Sequence, residues 1–266
     1  MIKDITIGQY YPAKSSIHEL DPRVKILGTF IYILSLFLVP DFRGYGIVIL
    51  FLWAIIHTSK VPFTFIIRGL KAIFMILLFT VGLNIFLTPG ENILYQWGVL
   101  KITQEGLYTA IFMGTRLILL IMGSSLLTLT TSPIQLTDGI ESLLNPFKKI
   151  GLPAHEIAMM MTIALRFIPI LLEETDKIMK AQMARGADFE SGGLIKRAKS
   201  LIPILIPLFI SAFRRADDLA LAMEARCYRG GESRTKMKEL AFGRQDYMAM
   251  GIMIILCFML ILLRFI

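Results

Sequence analysis

The sequence predicts an all-α integral membrane protein of about five transmembrane helices, with a cytoplasmic module of amphipathic helices inserted before the last span. Three observations carry this reading. Of 266 residues, 55% are hydrophobic and 18% charged, with a mean hydropathy of +0.67; a soluble domain has roughly 45–50% apolar and about 25% charged residues. Charge is concentrated: residues 132–245 hold 17 Lys or Arg and 13 Asp or Glu, against 11 and 7 in the other 152 residues. Apolar runs of spanning length flank that block. Such a composition excludes disorder, and two cysteines, Cys227 and Cys257, exclude a disulfide scaffold. The net charge of +8 comes without runs of interleaved basic and aromatic residues, which points to a membrane rather than to nucleic acid.

Residues 1–21 are polar and mixed in charge, so no cleavable signal is expected. The first span is Val24–Val39, closed by Pro40 and preceded by Asp21-Pro22, a good N-cap followed by a good first helical residue. A short second span, Tyr45–His57, follows. The third is Phe65–Leu87, with Arg68 and Lys71 near one end, the fourth Gly106–Thr131 and the fifth Tyr247–Phe265. With the N-terminus inside, Lys3, Lys14, Arg23, Lys25, Lys60 and the 132–245 block fall on the cytoplasmic side. Only Arg43, Lys101 and Arg264 fall outside, as the positive-inside rule requires. The C-terminus is then expected outside. Three regions result: 1–131 with four spans, the cytoplasmic module 132–245, and the last span in 246–266.

Two further apolar runs lie in the module: Ile157–Leu172, interrupted by Arg166 and Pro169, and Leu201–Phe213, interrupted by Pro203 and Pro207. A crossing by the first would put Lys177, Lys180, Arg185, Lys196, Arg197 and Lys199 outside. Runs of this length also suit interfacial or docking helices, so both are kept on the cytoplasmic face.

Both continue as amphipathic helices. Ile168, Leu172, Thr175 and Met179 recur at helical spacing in one, and Phe209, Phe213, Ala216, Ala220, Met223 and Cys227 in the other. Packing of the two stripes on each other accounts for most of their length. Their ends are alike: Ala184-Arg185-Gly186 and Ala225-Arg226-Cys227, each following an apolar run that contains Pro169 or Pro207. An Arg in a last helical turn complements the helix dipole. Two such ends, each with a small residue before the Arg, point instead to compact tips that enter two similar partner sites, where a guanidinium fork binds directionally.

The chain resembles the energy-coupling factor transporter transmembrane (T) subunits, the EcfT and CbiQ family. The likeness rests on His18-Glu19-Leu20-Asp21-Pro22-Arg23-Val24-Lys25, Asn145-Pro146-Phe147, Gly151-Leu152-Pro153, Ala164-Leu165-Arg166-Phe167-Ile168-Pro169 and the two Ala-Arg tips. The family's second tip is often Ala-Arg-Gly; Cys227 stands in that Gly position here, leaving open whether the helix ends there or runs on to Gly230-Gly231. The resemblance implies a non-enzymatic coupling subunit of an ABC-type importer in a bacterial cell membrane. Two cytoplasmic ATPases, which the unequal tips suggest are non-identical, would dock at Ala184, Arg185, Gly186 and at Ala225, Arg226, Cys227. They would use ATP and Mg, and this chain would bind no cofactor. A separate substrate-binding membrane (S) subunit would carry a vitamin or a transition-metal ion. Asp21, Pro22, Arg23, Arg116, Arg166, Pro169, Pro203 and Pro207 are expected to serve structure or subunit contact.

No phosphate-binding Gly-x-x-x-x-Gly-Lys-Ser/Thr loop occurs, and His18, His57 and His155 have no metal-ligand spacing. Arg116 lies about ten residues, or roughly 15 Å, into the fourth span. It serves either as a hinge or contact facing another subunit, or structurally, as a tie to helix carbonyls or by snorkelling towards one face. Fifteen methionines, including Met159, Met160 and Met161, suit a scaffold that re-packs against interchangeable S subunits. The alternative reading is a membrane-embedded enzyme acting on lipid at the cytoplasmic interface. The only close Asp pair, Asp217-Asp218, reads as solvated pairing with Arg214 and Arg215.

Overall fold

The computed structural model describes residues 10–97, 100–189, 193–230 and 240–265. It divides into two units, Gly8–Gly139 with Glu239–Ile266, and Ile140–Lys238. Lys3 and Gly231 lie outside the described residues.

The first unit begins with one turn of helix, α1 (Ser16–Glu19), capped by Ser15. Helix α2 (Pro22–Leu38) starts as its sequence dictates, with the Asp21 carboxylate accepting from the Arg23 N–H and Pro22 in the first turn. Its 17 residues are about 25 Å long at helical rise. Helix α3 (Phe42–Ser59) is longer at both ends than the short run expected, and stops where Lys60 turns left-handed at φ 56°. Helix α4 (Phe63–Leu87) is bent by 61° between Phe63–Lys71 and Ile73–Leu87. Strands β1 (Ile93–Trp97) and β2 (Leu100–Thr103) then form an antiparallel ribbon with an irregularity between Ile93 and Tyr95. The all-helical expectation missed this ribbon because two strands of five and four residues carry too short an alternation to register. Thr103 closes the ribbon and caps α5 (Gln104–Thr130), accepting from the Gly106 N–H at 3.0 Å. The last helix is α10 (Arg244–Phe265).

Tyr32, Leu36, Tyr45, Val48, Leu52, Leu119, Leu126, Leu129 and Leu260 form the buried centre of this unit. Tyr32 fixes the approach of α2 to α5. Its hydroxyl donates to the Leu119 carbonyl at 2.9 Å, and its ring fills the space where a side chain on Gly123 would start. Small residues set helix contacts where lipid removes the hydrophobic drive between helices. Gly123→Ala is therefore expected to lower stability by about 1–3 kcal/mol. Gly28→Ala, whose new carbon meets nothing closer than 3.8 Å, leaves the thermal midpoint in detergent nearly unchanged.

The second unit follows α6 (Pro133–Leu144) and a 3-10 turn, Asn145–Ile150. Its helices are α7 (Ala154–Ala184), α8 (Leu194–Ser200) and α9 (Ile202–Ala225). By length and composition, α3, α5, α7 and α10 each suffice to cross a membrane, and α4 counts as one broken span. The length argument for keeping the run Ile157–Leu172 out of the membrane is thereby corrected. Pro169 lies inside α7 without ending it, and the helix reaches 31 residues.

Candidate functional site

Helices α7 and α9 run antiparallel. Glu174 on α7 accepts from the Ser211 hydroxyl and, at 3.1 Å, from Arg215 on α9. Eight residues further along α7, Gln182 meets Pro203, eight residues back along α9. The latter contact has a local cause. Pro207, inside α9, has no N–H, so the carbonyl four residues earlier loses its helical partner; that carbonyl belongs to Pro203, and the Gln182 amide donates to it at 3.4 Å. On the side of the Glu174 tie away from Gln182, a groove of about 320 Å³ is lined by Ile163, Phe167 and Leu171 of α7 and by Ala212, Ala216 and Ala220 of α9.

The facing surfaces are not the stripes read from periodicity. On α7 the packed face is offset by one residue from Ile168-Leu172-Thr175-Met179, and Ile168 is exposed. On α9, Ala216, Ala220 and Met223 face the groove as expected, but Phe209 and Phe213 are 60% and 67% exposed. Each helix has more apolar surface than one neighbour can cover. The choice of face falls to close approach at the alanines and to the Glu174 pairing, which hydropathy does not weigh.

The two arginine ends share one geometry. At the end of α7, Ala184 is the last helical residue, Arg185 the C-cap and Gly186 left-handed at φ 86°. The Gly186 N–H donates to the Met183 carbonyl at 2.9 Å and the Ala187 N–H to Gln182 at 3.0 Å. At the end of α9, Ala225, Arg226 and Cys227 repeat this, with Cys227 at φ 54°. Its N–H donates to Glu224 at 2.8 Å and the Tyr228 N–H to Met223 at 3.0 Å. This is the Schellman pattern of paired 5→2 and 6→1 bonds, formed twice. The open question about Cys227 is answered: the helix ends at the tip and does not run on to Gly230. A side chain in the left-handed region costs roughly 1–2 kcal/mol. Cys227→Gly is expected to preserve the tip and raise local stability by about 1 kcal/mol, and Cys227→Val to fray the last turn; amide hydrogen exchange at Cys227 and Tyr228 measures both.

Arg185 and Arg226 are exposed, as are Ala184, Gly186, Ala225 and Cys227. Antiparallel packing points the two tips in opposite directions. Arg185 lies 11 residues past Glu174, and Arg226 15 past Ser211, an axial separation of up to about 39 Å. One partner groove cannot take both.

The remaining expected site residues fall elsewhere. Arg166 and Pro169 are exposed on α7, and Pro203 is in the first turn of α9. Asp21, Pro22 and Arg23 form a knot within the first unit. Asp21 accepts from Arg23 at its backbone N–H (2.9 Å), Nε (3.0 Å) and Nη2 (2.8 Å). Burial alone would raise the Asp21 carboxyl, but the hydrogen bonds and charge of Arg23 hold it below the usual carboxylate range. Arg23 also donates to the Leu240 carbonyl at 2.9 Å and lies 4.0 Å over the Phe242 ring. Asp246, which sequence reasoning passed over, accepts from the backbone N–H of Asp21 and of Gly243, both at 2.8 Å. The available signal was its position, three residues after the N-cap Gly243, where a carboxylate reaches back to the capping N–H. His18 is held by Ser15 at 2.7 Å and by the Tyr11 carbonyl at 3.0 Å. Since a carbonyl only accepts, Nε2 carries the proton there, and burial lowers the ring's pKa.

Of the two expectations for Arg116, the geometry contains the tie. Its Nε donates to the Tyr45 hydroxyl at 3.1 Å and its Nη2 to the Val39 carbonyl at 3.5 Å, an orphan acceptor at the end of α2. The guanidinium also lies 5.0 Å and 5.4 Å over Phe112 and Phe37. His155 pairs with Glu141 at 2.9 Å. Among the described residues no group of three His, Cys, Asp or Glu can hold a metal ion.

The family described as CbiQ, cobalt transport protein, matches residues 13–237. The energy-coupling factor transporter transmembrane protein EcfT of Clostridium kluyveri is 64% identical over 94% of this chain and 93% of its own length. That of Thermosediminibacter oceani is 59% identical over 93% of each chain. That of Bacillus subtilis is 48% identical over 99% of this chain and all of its own.

Proposed function

Because the chain belongs to the CbiQ and EcfT family of energy-coupling factor transporter transmembrane subunits, we propose that its two arginine tips are the ATPase-docking sites of a non-enzymatic T subunit in a bacterial multi-pass membrane complex. The observation that carries this reading is the duplicated tip: two exposed guanidinium groups on identical helix terminations, at opposite ends of one tied helix pair. Each tip enters one cytoplasmic ATPase, and the difference between Gly186 and Cys227 favours two non-identical ones. The ATPases consume Mg-ATP, and this chain binds no cofactor. When nucleotide closes them, the tips move together. The Glu174 pairing and the Gln182 bond carry that displacement along α7 and α9 as a body.

Exposed apolar side chains of the pair, among them Phe209 and Phe213 of α9 and Met160 and Met161 of α7, take the S subunit that binds a vitamin or a cobalt or nickel ion. Methionines there allow more than one such partner. The N-terminus and the 132–245 module are cytoplasmic and the C-terminus outside. Helix α7 stays on the cytoplasmic side despite its length, because Arg166 is exposed within its apolar run and the basic residues after it would otherwise be translocated. A photo-crosslinker at Ala184 and another at Ala225 test the docking assignment. Each is expected to capture an ATPase subunit, and two non-identical subunits would be captured separately. Capture of no ATPase at either position overturns the reading.

A further inference from the structure

Between α2, α3, α5 and α10 lies a cavity of about 300 Å³, walled by apolar side chains such as Phe51, Leu126, Ile252 and Met253. Three of its polar groups lie at one level, with Thr29 one turn further in along α2. Lys25 is near the start of α2, and Thr58 and Thr130 are at the ends of α3 and α5; all three line the cavity. Tyr32, Phe51 and Gly123 line it seven residues further in along the same three helices. Seven residues are about 10 Å of helix, a third of a hydrocarbon core of about 30 Å. The cavity is thus a slot running from one face of the membrane toward its middle, with an ammonium at the polar end.

Lys25 is 8% exposed. Its Nζ donates to the His18 carbonyl at 2.9 Å and the Thr130 carbonyl at 3.1 Å, which uses two of its three protons. Among the described residues no carboxylate lies within ion-pair distance of it. Asp21 and Asp246 act on it only from further off and are engaged with Arg23 and with backbone N–H groups. A buried ammonium with no carboxylate in contact is costly, and the space beside this one is the slot. Gly28 keeps the wall open, since a side chain there would first meet Met253 at 3.8 Å.

We propose that the slot binds one anionic membrane phospholipid, with an acyl chain between the four helices and a phosphate oxygen accepting from Lys25 Nζ. Phosphatidylglycerol, phosphatidylcholine with the same acyl chains, and inorganic phosphate distinguish the components of that binding. They are compared on the full-length chain in mild detergent by native mass spectrometry and thermal shift. One phosphatidylglycerol is expected to remain per chain, preferred over phosphatidylcholine by about ten-fold: both offer the phosphate oxygen, but the choline ammonium brings a like charge close to Lys25 and cancels the headgroup's net charge. It should raise the thermal midpoint, whereas inorganic phosphate should not. Gly28→Leu with Ala249→Leu fills the slot while leaving the bonds of Lys25 in place, and is expected to abolish lipid retention. Lys25→Met is expected to keep a lipid but lose the preference. Equal retention of the two lipids by the native chain, undiminished retention in the filled variant, or a full thermal shift from phosphate alone would overturn the proposal. If Lys25→Met does not fold, the native comparison and the filled variant decide.

Discussion

Arg185→Glu and Arg226→Glu are each expected to reduce ATP-dependent uptake by at least about ten-fold while leaving the chain folded and inserted. Both side chains are exposed at helix ends, where a substitution ordinarily changes stability by no more than about 0.5 kcal/mol. At a docking site the same reversal removes a directional guanidinium contact and sets like charge against the partner's acceptor, a loss of about 2 kcal/mol or more. Arg185→Lys keeps the charge without the fork, so it is expected to fall between the native chain and the Glu variant. Uptake of labelled vitamin or cobalt by cells carrying each variant as the sole copy gives the result. With the tips up to about 39 Å apart, the two binding losses should combine independently.

Asp246→Ala is expected to have the largest effect on stability, about 2–4 kcal/mol. Asp246 is 4% exposed, and its two oxygens satisfy the N–H groups of Asp21 and Gly243. Removing both acceptors leaves two donors stranded, at about 1–3 kcal/mol each when buried. Asp246→Asn retains one acceptor and is expected to lose about half as much. Thermal unfolding in detergent ranks the three proteins. An Asn variant as unstable as the Ala variant would show that the charge, not the hydrogen bonds, holds the knot.

Much of this was legible in the residues. Asp21-Pro22 announces the start of α2, and an apolar stretch broken by charge announces the boundary before the module. The repeated Ala-Arg marks both tips, because helix termination is a local matter of small side chains and left-handed backbone. What escaped was tertiary. The packing face of α7 and α9 depends on which alanines allow close approach, and both helices are apolar on more than one side. Glu174, Ser211 and Arg215 read singly as surface polar residues, and only the antiparallel crossing brings them together. Gln182 gains its role from a carbonyl that Pro207 releases 25 residues away. Arg116 finds its acceptors, Tyr45 and Val39, more than seventy residues earlier in the chain, beyond the reach of any local pattern.

Affinity purification of the tagged chain from gentle detergent, compared with the Arg185→Glu, Arg226→Glu double variant, tests the docking role most directly. The native chain is expected to bring down ABC ATPases, and the double variant to lose them while keeping its elution position and its thermal midpoint. Equal recovery of the ATPases by both proteins would contradict the assignment and reduce the two tips to ordinary helix ends.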